Sequence, residues 1–192
     1  YAYNATYLIV GGIDLFNKLR ANYRLSNVLI RILFVLTFVF CNWQEFLGVV
    51  VSMNGVFASV GVAFSGSVKL FLALMSAALL GTILMFVVPL LANLFLNVAK
   101  IYSVPRAEYC LLVHLFCSIG FLICGLLNLI NLFTPVLLVW GGVIFPFAVA
   151  AGCSFAFYKV TAKLYFNDVT VVNYFKYSLI AFAVLAFLLE VL

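Results

Sequence analysis

The sequence predicts an all-α membrane protein: a five-transmembrane-helix bundle with an N-terminal interfacial helix. Three observations carry that prediction. Hydrophobic residues make up 68% of the 192-residue chain and charged residues only 8%, with a mean hydropathy of +1.32. A soluble domain carries about 25% charged residues; the surplus apolar surface here exceeds what a core of this size hides, and it needs lipid. The apolar residues also fall into runs of about 20 or more, the length a helix needs to cross about 30 Å of hydrocarbon. Finally, Lys and Arg cluster at the ends of those runs, which decides how many of them cross.

Residues 1–27 come first. TYLIVGGIDLFNKLRANYRL mixes aliphatic, aromatic and basic side chains, the composition of an amphipathic segment lying on a membrane face. The membrane domain then occupies 28–192, with spans at about 28–49, 70–98, 107–132, 136–158 and 169–191. Residues 46–68 are uncharged and long enough to cross, but rich in Gly and Ser. Charge arbitrates. With five spans, Lys18, Arg20, Arg24, Arg31, Lys100, Arg106, Lys159, Lys163 and Lys176 share one side, and Lys69 alone takes the other. A sixth span at 46–68 splits the same residues evenly. Basic residues concentrate on the cytoplasmic side, so 50–69 reads as a Gly/Ser-rich external loop or re-entrant segment. The N-terminus is then cytoplasmic and the C-terminus external or lumenal. On that topology the glycosylation-like triplet Asn4-Ala5-Thr6 lies on the wrong side and is a chance match. No cleavable signal peptide is expected, and a chain starting at Tyr1 is consistent with numbering that begins inside a longer protein.

The polar stretch KIYSVPRAEYC, residues 100–110, separates the second and third spans. Pro105 disfavours helix for the residue before it, and Glu108 complements the positive end of the helix that follows. A tight bend between antiparallel helices accounts for the stretch; a recognition loop is the other reading.

Chemistry-bearing residues are few. His114 is the single histidine and lies within the third span, where a polar side chain faces the bundle interior or bonds a neighbouring helix. Cys110, Cys117 and Cys124 repeat every seven residues on its face. They read as a stripe that lets another helix approach, not as a metal site, because ligands on one helix lie along a line and not around a point. The acids Asp14, Glu45, Glu108, Asp168 and Glu190 all avoid the span centres. No catalytic triad and no phosphate-binding glycine loop is present, so no enzyme activity and no cofactor is expected. The net charge of +5 is explained by topology and gives no reason to expect nucleic acid. Pro89 and Pro146 lie inside spans and kink them.

The layout resembles the Yip family, the Rab-GTPase-interacting proteins and their bacterial relatives. The resemblance is carried by five spans, by Tyr102-Ser103-Val104-Pro105 opening the third span, and by the basic turn Tyr158–Tyr165 before the last one. It covers about residues 28–192. The acidic, proline-containing motif that eukaryotic members carry before the first span does not occur in residues 1–27, which points to a bacterial-type member. The resemblance implies an accessory protein acting by association with an ABC-type transporter or with membrane-trafficking machinery. It places the chain in a bacterial plasma membrane ahead of endoplasmic reticulum or Golgi. Tyr102, Pro105, Arg106, Lys159 and Lys163 are then the expected partner contacts, and Arg106, Lys159 and Lys163 also face anionic lipid headgroups. Two rivals stay open. One is a transporter or channel subunit whose path is lined by Lys69, His114, Pro89 and Pro146. The other is a structural subunit of a large membrane complex, in keeping with 21 phenylalanines.

Overall fold

A computed structural model describes residues 17–18, 21–59, 61, 63–98, 104–133 and 138–165. These form four helices and no strand: α1 (Tyr23–Ala58), α2 (Gly66–Val98), α3 (Arg106–Phe133) and α4 (Leu138–Tyr165). The first three are long and apolar enough to cross a membrane. The expected fifth span, 169–191, lies outside the described residues, as do residues 1–16 of the expected interfacial segment.

α1 differs from the expected first span at both ends. It begins at Tyr23 and continues through residue 49 to Ala58, 36 residues in all. The first nine residues of the segment read as a loop or re-entrant stretch, 50–58, are therefore regular helix. Gly48 and Gly55 each cost only about 1 kcal/mol in a helix interior, which does not outweigh an apolar run with every backbone group bonded within the helix. The turn itself is short. Gly61 adopts φ +86°, a conformation that side-chain-bearing residues avoid. Its N–H donates to Ala58 O at 3.1 Å. Asn54 Oδ1 accepts from Phe64 N at 2.8 Å, and the Phe57 and Phe64 rings meet edge to face at 6.1 Å. Ser65 then starts α2, its carbonyl taking Lys69 N at 3.0 Å.

α1 and α2 pack as an antiparallel hairpin along Ala73, Ala77 and Gly81, all buried. A Cβ at Gly81 would meet Phe38 Cδ1 at 2.9 Å, so this face depends on small residues. α3 runs parallel to α1: the Tyr23 hydroxyl donates to Ala107 O at 3.4 Å, and Asn128 Nδ2 donates to Cys41 O at 3.1 Å. α4 returns against α3, with Phe157 edge to face on Tyr109 at 5.5 Å and on Phe116 at 5.3 Å.

The helices thus alternate in direction, and a buried cluster joins all four at one end. It contains Ile30 of α1, Ala92 and Leu96 of α2, Tyr109, Leu111 and Leu112 of α3, and Phe157 of α4. Arg24, Arg106 and Lys159 lie at that end, while Lys69 lies at the other, in the first turn of α2. The opposite end thins out. Judged from its contacts with α1, α3 stops near the middle of α1's second half, and about ten residues of α1 run past it, about 15 Å.

Candidate functional site

The polar centre of the bundle is built on Pro89. A helical residue donates its N–H to the carbonyl four residues back, and proline has no N–H to give. Met85 O is therefore released from the α2 ladder. His114 on α3 supplies the missing donor position: its Nε2 lies 3.0 Å from Met85 O, and its Nδ1 lies 2.8 Å from Cys110 O. The ring is 1% exposed. Phe34 of α1 packs edge to face on it at 5.3 Å, and Phe121 joins the stack 5.6 Å from Phe34. The Cys110 thiol donates to Pro89 O at 4.0 Å, and Ser118 Oγ donates to His114 O at 2.7 Å.

Both partners of the imidazole are carbonyl oxygens, which only accept. A neutral ring carries one N–H and serves one of them at a time. The tautomer with hydrogen on Nε2 closes the α2–α3 bond.

Of the residues expected to line a path, His114 and Pro89 meet at Met85 O, while Lys69 and Pro146 stand apart from them. His114 is enclosed by backbone carbonyls and aromatic rings. Lys69 is sixteen residues from Met85 along α2, about 24 Å. Pro146 belongs to α4 and is exposed. The cysteine stripe is divided among neighbours: Cys110 meets α2, Cys124 lies beside Cys41 of α1, and a Cβ at Gly120 would meet Cys153 Sγ of α4 at 3.6 Å. Among the described residues no three of His, Cys, Asp and Glu gather into a metal-holding group.

The expected partner contacts lie at the basic end. Pro105 is exposed, and its carbonyl accepts from Tyr109 N at 3.0 Å. Arg106 is exposed, but its Nη2 donates to Asn97 Oδ1 at 2.9 Å, tying the end of α2 to the start of α3. Lys159 is exposed, its ammonium 5.3 Å from the Phe155 ring centroid. Lys163 lies in the last turn of α4. Tyr102 lies outside the described residues.

Sequence reasoning missed two features. The Pro89–Met85 relation was available, because proline always frees the carbonyl four residues earlier. Arg31 was read only as a topological charge. In the structure it sits two turns inside α1, and its Nε is buried with no hydrogen-bond partner among the described residues. Gln44 Nε2 and Asn93 Oδ1 share that condition.

Comparison with protein-family models, with curated proteins and with solved structures gives no match.

Proposed function

We propose that this chain is a non-enzymatic integral membrane protein that acts by association, as an accessory subunit of an ABC-type transporter or of membrane-trafficking machinery. One observation carries the reading: the central polar side chain, His114, is buried and closes the α2–α3 contact. Asn128 likewise closes the contact between α3 and α1. Thr37 and Asn42 bond their own helix, Thr37 to Leu33 O at 2.8 Å and Asn42 to Phe38 O at 2.9 Å. A conduction route would set such groups along a cavity.

The basic end supports the same reading. Pro105, Arg106 and Lys159 are exposed there, in the two turns on which the resemblance to bacterial-type Yip proteins rests. We take α4 as the fourth span and 169–191 as the fifth, with the basic end cytoplasmic by the charge rule.

The test is purification of the tagged chain from its native membrane in mild detergent, followed by mass spectrometry. Stoichiometric co-purification of transporter or trafficking subunits is expected. A clean homo-oligomer with no other protein would overturn the association reading and return His114 and Lys69 to the transporter hypothesis.

A further inference from the structure

We propose that the groove beside Arg31 binds one anionic phospholipid, with its phosphate on the Arg31 guanidinium and one acyl chain along α1. The groove holds about 390 Å³ and is lined by Val28, Arg31, Ile32, Val35 and Leu36 of α1 and Met85 of α2. Arg31 is its one charged member. Val28, Ile32 and Leu36 are 56%, 51% and 61% exposed, so in a bilayer this groove opens onto lipid, not water.

Arg31 needs an acceptor there. A guanidinium at membrane depth is costly unless it is paired or reaches the interface; its Nε is covered and unpartnered among the described residues, so an acceptor from the lipid meets it at the outer nitrogens. Glu45, the acid on the same helix, lies fourteen residues further along, about 21 Å. Glu108 opens α3 and does not bond that nitrogen.

A lipid phosphate fits the position. Arg24, Val28 and Arg31 follow at i, i+4 and i+7, which is one helix face. Arg24 stands at the basic end, and Arg31 lies about 10 Å deeper, a depth that a long side chain shortens by snorkelling back toward the headgroups. Guanidinium matches phosphate with paired hydrogen bonds. From that point an acyl chain runs toward the bilayer centre, the direction in which Ile32, Val35 and Leu36 continue the groove. A soluble phosphate would use Arg31 but leave this apolar wall without a role. Met85 joins the site to the centre of the bundle, since it lines the groove and its carbonyl meets His114.

The experiment is native mass spectrometry of the full chain in detergent, titrated with phosphatidylglycerol or phosphatidylcholine of equal chain length. One retained phosphatidylglycerol per chain is expected, favoured over phosphatidylcholine by about tenfold, the scale of one charge-assisted hydrogen bond. Arg31→Gln abolishes that preference, with helical content checked by circular dichroism. Val35→Trp keeps the charge but fills the groove, and lowers lipid retention. Millimolar inorganic phosphate leaves the bound lipid in place. Three results would overturn the site: unchanged preference in Arg31→Gln, displacement by inorganic phosphate, or a photoreactive residue at Ile32 that cross-links a protein instead of lipid in native membranes.

Discussion

Met85 matters for its carbonyl, and it does so because residue 89 is proline. Within a bilayer no water stands in for a lost backbone partner, so the carbonyl that Pro89 frees is taken by a side chain from another helix. His114→Ala is expected to cost about 0.6 kcal/mol, and no more than about 1.7, the range for interhelical bonds in membranes. The Pro89→Ala variant restores an N–H for Met85 O. In that background His114→Ala is expected to cost less, and the difference is the coupling that a double-mutant cycle reads. Equal costs in both backgrounds, followed by unfolding in mixed micelles, would mean that His114 serves something other than Met85. The chemistry at this centre was half legible in the sequence. His114 and Pro89 stand out as residues, but 25 positions separate them, and only the register of α2 against α3 reveals that they serve one oxygen.

At the scale of elements, the helices hold together through small residues filled by phenylalanine. Gly81 accepts Phe38, and Gly125 accepts the Phe40 ring while Cys41 Cα stands 3.3 Å from where its Cβ would be. These two sites differ in what can yield. At Gly81 only a side chain obstructs, and its χ angles can shift. At Gly125 the α1 backbone also stands in the way. Gly125→Ala is therefore expected to lose about 1–3 kcal/mol by overpacking, and Gly81→Ala less; the reverse order in a denaturation series would refute this account of the α1–α3 contact. The apolar runs of α1, α2 and α3 were legible in the sequence, because length and hydropathy are local properties. α1 extends beyond the span expected at 28–49 at both ends. Gly48, Ser52 and Gly55 resemble loop composition, yet in lipid a continuous helix is the one local form that bonds every backbone group. The face on which Ala73, Ala77 and Gly81 meet α1 is also spaced in the sequence, four residues apart, but small residues in an apolar run become informative only when a neighbour is known.

At the scale of the whole molecule, the described helices are packed asymmetrically along their axis. Among the described residues, four helices meet at the end carrying Arg24, Arg106 and Lys159, and the α1–α2 hairpin alone reaches the far end. If that basic end is cytoplasmic, cysteines at Asn22 and Lys159, both exposed, are protected from an impermeant external thiol reagent, and a cysteine at Ser65, exposed in the hairpin turn, reacts. All three belong in a background lacking the native cysteines. Labelling at Asn22 or Lys159 with protection at Ser65 would invert the orientation. The hairpin also has a bearing on where the protein is at ease. Its 36-residue arm is about 54 Å long, against about 30 Å of hydrocarbon, and tilts of up to about 40° do not absorb the excess. An uncharged turn therefore projects through the headgroups at its end or drags the leaflet up around it. Either outcome makes membrane thickness a selective variable, so the same chain should partition toward thicker bilayers and sit under strain in thin ones.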